Sequence, residues 1–311
     1  MKKRILSIVL AICLVLSCIP ITVFAADEPG DVRALLEEVL NKGGTQKLQR
    51  DYIVTRLGIR LGKSFTIDLN GHVILFQGGH FLVGDSEHKN IQFTIKDSLA
   101  KSGTKPKHTG QFAGLPDGGV VTSTYGGTWG GCVNVTDTST FNLEEGATLY
   151  NSYASTNSPG TSSSLGDGEG GAVFVDQGGT FNMKGGTIDG CTASTYGGAV
   201  YINGGTFNMT GGTIKNCKAV DSGGAVCLYS ANSIFNMTGG TIENCKISSS
   251  SSVANSTRGF GGGVFVRRGN FTMTGGTIEN CETSTNGGGV DVKTYGTFNM
   301  KGGTIKNCKA T

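Results

Sequence analysis

Seven cysteines follow residue 25, and five of them recur at one place in a repeated unit. Thiols in such a row could form disulfides, because stacked neighbours about 5 Å apart lie within bridging range. The odd count and the apolar neighbours instead favour free thiols that act as small buried hydrophobic groups. A straight row cannot surround a metal ion tetrahedrally, and all four histidines come earlier in the chain, so we predict no metal and no other cofactor. The seven are Cys132, Cys191, Cys217, Cys227, Cys245, Cys281 and Cys308.

Carboxylates offer one weak catalytic candidate. Glycoside hydrolysis needs two carboxyl groups about 5–9.5 Å apart. The best pair is Glu169 with Asp221, both just before a Gly-Gly pair and two repeats apart, which places them about 10 Å from each other. Carboxylates beside glycine in loops are more often solvated turn residues. We therefore expect a non-catalytic protein.

Aromatic residues form the most suggestive binding candidate. Phe174, Tyr201 and Phe265 occupy the middle of the first strand of their repeats, and Asp291 takes the same position in the last repeat. Alternation along a strand turns this position away from the core. A row of exposed aromatic rings marks a contact surface, and flat rings suit the faces of sugars. The alternative is that nearby Ser-rich insertions fold over this row and bury it.

These residues are positioned by a unit that recurs five times from Gly170 to the last residue. Its Phe recurs at steps of 26, 28, 36 and 27 residues, at positions 181, 207, 235, 271 and 298. A period of this size is typical of a solenoid, in which each repeat buries its apolar side against the next. A diverged sixth copy begins at Gly130.

Each unit reads as three short strands separated by bends. The first strand has Val at positions 173, 200, 226, 264 and 290, and the second alternates Phe181, Asn182 and Met183 in its first copy. Gly190 exchanges with Asn in the other copies, which predicts a bend of positive φ there. Three in-register strands per repeat predict an all-β fold, a right-handed parallel β-helix with an N-terminal helical cap.

The chain divides into three parts. Residues 1–25 read as a secretory signal, with a basic start, an apolar stretch and a small-residue cleavage site. Residues 26–60 form the capping region, around an amphipathic helix that begins near Asp31. Residues 61–311 form the β-helix, with irregular early coils at 61–129 and regular coils at 130–311. Ser-rich insertions interrupt it at 153–169 and about 247–260, on one edge.

The sequence ends at Thr311, three residues after Cys308, and its last coil is expected to have no cap. An uncovered strand edge invites pairing, so we expect either a truncated fragment or a partner chain at this edge.

Charge excludes two classes of partner. The chain has 26 basic and 23 acidic residues, and three of the basic ones lie in the signal. The mature chain is then nearly neutral, which gives no electrostatic case for nucleic acid or an anionic membrane surface. No second apolar run approaches about 20 residues, so we expect no membrane span after signal removal. The expected location is secreted or on the cell surface.

The Gly-Gly-Ala-Val and Gly-Gly-Thr-Ile-x-Asn segments resemble bacterial secreted proteins of the right-handed β-helix, pectin-lyase-like class. They are also similar to the repeats of polymorphic outer-membrane adhesins. The resemblance implies the fold but not one activity, since the class contains lyases, hydrolases, adhesins and structural spikes. The outward row supplies only Asp291 as a carboxylate, whereas a Ca²⁺-dependent lyase needs several. We therefore expect an adhesin-like module that recognises carbohydrate or another surface ligand. A structural spacer or fragment and a polysaccharide lyase or glycoside hydrolase are the alternatives.

Overall fold

The computed structural model describes Leu36 and residues 42–55, 58–124, 129–155, 168–248 and 259–311. The proposed signal and most of the predicted capping helix lie outside these residues. The described part is nearly all β, with long parallel sheets that are compatible with a parallel β-helix. Its helical parts are the helical residue Leu36, one α-turn at Ser98–Lys101 and one 3-10 turn at Gly110–Phe112. None of the described helices has the length and apolar character needed to cross a membrane.

Every strand pairs with the equivalent strand of the neighbouring repeats, which creates four ladders. The first ladder contains Ile59–Leu61, Phe81–Val83, Val133–Val135, Val173–Val175, Val200–Ile202, Val226–Leu228 and the first parts of Val264–Met273 and Val290–Met300. The second contains Gly44–Lys47, Phe65–Asp68, Gln92–Lys96, Thr140–Leu143, Thr180–Met183, Thr206–Met209, Ile234–Met237 and the second parts of the same two long strands.

Two further ladders complete the repeat. The third contains Tyr52–Thr55, Val73–Gln77, Val120–Ser123, Thr148–Tyr150, Thr187–Asp189, Thr213–Lys215, Thr241–Glu243, Thr277–Glu279 and Thr304–Lys306. The fourth is short and contains Tyr153–Ala154, Thr192–Ala193, Lys218–Ala219, Lys246–Ile247, Glu282–Thr283 and Lys309–Ala310. The sequence pattern predicted three strands per repeat, so the fourth ladder is an addition.

In-register pairing turns the repeated residues into continuous internal stacks. Phe207 is fully buried between Phe181 and Phe235, with both pairs of ring centroids 4.7 Å apart and nearly parallel. Stacked and offset aromatic contacts add to the stabilisation from apolar burial. On the other face of the same strands, Asn208 Nδ2 donates to Asn182 Oδ1 at 2.9 Å. The predicted inward Phe and outward Asn rows are therefore confirmed.

The bends after the third ladder have the predicted positive φ. Gly190 has φ 69°, and the Asn residues in the later repeats, such as Asn216 and Asn244, have φ 56° and 55°. Asn tolerates this left-handed conformation better than other residues with a side chain. A second glycine requirement comes from close packing of neighbouring repeats. A Cβ on Gly198 would lie 2.1 Å from the carbonyl oxygen of Gly224, so only glycine fits there.

The early part of the chain differs from the predicted division. Gly44–Lys47 and Tyr52–Thr55 are strands of the second and third ladders, so the sheets begin well before residue 61. Leu36, the one described residue of the predicted helix, is fully buried in the main core. Within the irregular early coils predicted at 61–129, residues 120–123 form a strand of the third ladder, Val120–Ser123. Most of both Ser-rich insertions lies outside the described residues.

Candidate functional site

The predicted aromatic row exists, but it is not exposed. In the first ladder Phe174 pairs with Tyr201, and Cys227 separates Tyr201 from Phe265. The three aromatic residues retain only 4–5% of their accessible surface. The expectation of an open aromatic surface is therefore wrong.

A second layer of side chains covers this row. Phe260 comes from the position just before a Gly-Gly turn, and its ring centroid lies 5.8 Å from that of Phe265. Tyr196 occupies the equivalent position in its repeat, because Ser222 pairs with both Tyr196 and Phe260. The Tyr196 ring packs together with Tyr229 against the ring of Tyr201. The sequence signal for this layer is a large residue immediately before the glycine pair. The row and its cover form a small second core, separate from the main one.

Charged groups surround this second core. The Arg267 guanidinium lies 4.1 Å from the centroid of the Tyr229 ring, and Lys293 Nζ lies 3.3 Å from that of Phe260. Burial, with a smaller contribution from the Asp221 carboxylate, raises the pKa of Tyr196 to about 12. Cations over ring faces stabilise such a cluster. The arrangement is that of a closed packing unit.

The predicted carboxylate pair is enclosed in the same region. Glu169 is 4% exposed and Asp221 is 6% exposed. Asp221 is also one residue away from the position equivalent to Glu169, because Tyr196 and Ser222 occupy that position in the next two repeats. The expectation that these are solvated turn residues is wrong. The prediction that both residues occupy the same position of their repeats is wrong as well. A buried pair beside packed aromatic rings offers no open cleft for a substrate.

Asp291 also differs from an open binding residue. Its side chain is 10% exposed, and its Oδ1 lies 3.6 Å from Lys293 Nζ in an ion pair. It does extend the aromatic row as predicted, since it pairs with Phe265.

The cysteine row follows the prediction closely. All seven described cysteines are free thiols, and Cys191, Cys217, Cys245 and Cys281 are fully buried. Burial raises the pKa of the Cys191, Cys217 and Cys245 thiols well above the ordinary value. A thiol that stays protonated is a poor nucleophile and a poor metal ligand.

One group of potential metal ligands lies on the described surface, in a turn of the early part of the chain. Side-chain ligand atoms of Asp85, Glu87 and His88 lie within 4.8 Å of one another. The Asp85 carboxylate accepts bonds from the backbone amides of Glu87 and His88, both at 2.8 Å, and pairs with Arg60 at 2.9 Å. His88 Nδ1 is within 3.0 Å of the same carboxylate. The two amides, Arg60 and His88 thus occupy the Asp85 carboxylate oxygens that a cation would need. The group therefore fits a hydrogen-bonded turn better than a metal site.

An open furrow runs along the bends between the third and fourth ladders; we call it the bend furrow. It consists of two clefts that meet at Asn151, one of about 580 Å³ and one of about 620 Å³. The first cleft is lined by Leu75, Gln111, Phe112, Leu115, Thr122, Ser123, Thr124, Asn151, Ser152, Tyr153 and Thr192. The second is lined by Tyr150, Asn151, Asp189, Gly190, Asn216, Lys218, Asn244, Cys245, Lys246, Asn280 and Glu282.

The bend furrow follows the stacking direction. The bend residues from Asn151 to Asn280 belong to five successive repeats, which at strand spacing is about 19 Å. Side-chain amides therefore face the furrow once in almost every repeat. Asn216 Nδ2 donates to Asp189 Oδ1 at 2.8 Å, which fixes one of these amides. The sequence pattern marks the bend residues only as turn formers and does not indicate this surface.

Comparison with known proteins gives no assignment, since no protein-family model, curated protein or solved structure matches this chain.

Proposed function

We propose that this chain is a secreted or cell-surface attachment module that binds an extended carbohydrate chain along the bend furrow without cleaving it. Its architecture, in this proposal, is a right-handed parallel β-helix with an N-terminal helical cap, as in the adhesin-like and pectin-lyase-like proteins that its repeats resemble. The buried core position of Leu36 supports a cap. The four in-register ladders support the helix.

The observation that carries the proposal is the shape and lining of the bend furrow. A groove parallel to the stack, about 19 Å long at strand spacing over its row of bends, suits a linear polymer rather than a compact ligand. Amides and hydroxyls provide the donors and acceptors that sugar hydroxyls need. The aromatic row of the first ladder does not support the proposal, because Phe174, Tyr201 and Phe265 are buried.

The lining also favours binding over cleavage. Two carboxylates, Asp189 and Glu282, line the second cleft. They belong to repeats three steps apart along the ladders, which at strand spacing is about 14 Å. This exceeds the separation of about 5–9.5 Å that glycosidases use. Asp189 is moreover held by Asn216 and by Lys215, whose Nζ lies 3.6 Å away.

The test removes the furrow amides without changing the bends. Replacing Asn216, Asn244 and Asn280 by glycine keeps a residue that accepts positive φ, as Gly190 already does in its own repeat. Losing three hydrogen bonds of about 0.5–1.5 kcal/mol each should weaken binding at least tenfold. Affinity electrophoresis in xylan, galactomannan and polygalacturonate gels measures the retention of each protein.

The matched control is Asn90→Gly. Asn90 also has a positive φ, 57°, and does not line the furrow, so this variant should be retained like the wild type. Equal retention of the triple variant and the wild type would refute binding through the furrow. No retention of any protein would favour a structural spacer, and shortened products would favour an enzyme.

A further inference from the structure

The two clefts of the bend furrow differ in charge. The second cleft contains Lys218 and Lys246 together with the two carboxylates. The described residues that line the first cleft include no acidic or basic side chain. The two halves therefore cannot favour the same part of a ligand, and the first half suits an uncharged group.

The first cleft also has an exposed aromatic ring, unlike the buried row of the first ladder. Tyr153 keeps 39% of its accessible surface. Leu75, Phe112 and Leu115 provide apolar surface in the same cleft. An aromatic face with apolar neighbours matches the C–H face of a sugar ring, while the phenol hydroxyl stays available for a hydrogen bond.

A hydroxyl without a partner lies in the same cleft. Ser123 lines the cleft and is 1% exposed, and its Oγ has no hydrogen-bond partner among the described residues. Buried polar groups in folded proteins nearly always have partners. A hydroxyl group of a ligand in the cleft is the kind of partner that Ser123 lacks.

The loop that forms one wall of the first cleft is held by packing and by hydrogen bonds. Phe112 packs in a buried cluster with Ile53, Val73 and Val120, and the end of its loop is held by Asp97, which is 1% exposed. Asp97 Oδ1 accepts from Gly71 N at 3.1 Å, and Oδ2 accepts from Gly119 N at 2.7 Å. A preformed cleft binds with a smaller loss of conformational entropy than a mobile one.

We infer that the first cleft is the subsite for one uncharged sugar ring, which stacks on Tyr153 and hydrogen-bonds to Ser123. This inference rests on the proposed function and specifies the ligand at one end of the furrow. The ligand is thus a polysaccharide with neutral rings, whatever groups occupy the charged second cleft.

Titration calorimetry with xylohexaose, mannohexaose and hexagalacturonate tests the inference. We expect the wild type to bind at least one neutral hexasaccharide and to bind hexagalacturonate more weakly. Tyr153→Ala should lower the affinity for the neutral ligand about tenfold, and Tyr153→Phe should keep most of it. Tyr295→Ala is the matched control, because Tyr295 is 74% exposed and lies outside the furrow.

Ser123→Ala separates a binding role from a structural one. Removing a buried hydroxyl that has no partner in the described ranges should leave thermal stability unchanged or slightly raised, while the affinity for the neutral hexasaccharide falls several-fold.

Unchanged affinity in Tyr153→Ala, or stronger binding of hexagalacturonate, would overturn the subsite. If the Asn→Gly triple variant still lost polysaccharide retention in that case, the proposed function would stand. Absence of any carbohydrate binding by the wild type would overturn both.

Discussion

The internal phenylalanine stack makes a quantitative prediction about where the fold is most sensitive. Phe207 is fully buried, and each of its two ring neighbours lies 4.7 Å away. Phe298 stands at the end of the same stack, is only partly buried, and contacts the one ring of Phe271, also at 4.7 Å. Replacing a buried Phe by Ala lowers the free energy of unfolding by about 3–5 kcal/mol. We expect a loss of about 5 kcal/mol for Phe207→Ala and about 2 kcal/mol for Phe298→Ala, because the second site loses less burial and one ring contact fewer.

Urea denaturation followed by far-ultraviolet circular dichroism measures both variants. The loss of stability is expected to be larger for Phe207→Ala than for Phe298→Ala. This difference depends only on the position within the stack, because the residue type is the same at both sites. Equal losses, or a larger loss for Phe298→Ala, would contradict the view that stacked repeats stabilise one another through nearest neighbours.

Two further predictions concern titrating groups. Burial lowers the pKa of His80 from 6.5 to about 4, and its Nδ1 is shielded from solvent and has no hydrogen-bond partner in the described part of the chain. The unfolded chain therefore takes up a proton first as pH falls, so stability is lost between pH 6.5 and 4, by at most about 3 kcal/mol. Urea midpoints of His80→Phe should decline less over this range than those of the wild type, and equal declines would contradict the assignment. Thiol titration should find Cys191, Cys217 and Cys245 unreactive in the native protein, because burial raises the pKa of these thiols, and should find most of the seven thiols free after denaturation without reductant. Finding one or none free would contradict the free-thiol row.

The proposed attachment site lies at the bends and not on the first strands, because the exposure of a side chain is not fixed by its position in the sequence. Alternation along the first strand correctly placed Phe174, Tyr201 and Phe265 on the face away from the main core. The exposure of these three rings depends on whether other side chains cover that face of the sheet. Tyr196 and Phe260 come from turns one position before a glycine pair, and only the stacking of repeats brings them over the row.

The sequence by itself determined the period, the inward rows of Phe and Cys, and the positive-φ bends at Gly190 and its Asn counterparts. Those features are local, because each follows from alternation within one short strand or from the backbone freedom of one residue. It also determined that the equivalent residues of successive repeats lie in line, since a repeated pattern stacks on itself.

The tertiary structure alone decided what is open to solvent. It buried Glu169 and Asp221 and enclosed the aromatic row. It also left Tyr153 accessible in the cleft that Ser123 lines, where the Ser123 hydroxyl has no hydrogen-bond partner among the residues that the structure describes. Accessibility arises from contacts between residues far apart in the chain. The end of the loop that brings Phe112 to the cleft, for example, is held by a bond from Gly119 N to Asp97, 22 positions away. No short pattern encodes such contacts, so the bend furrow became visible only when the repeats were stacked.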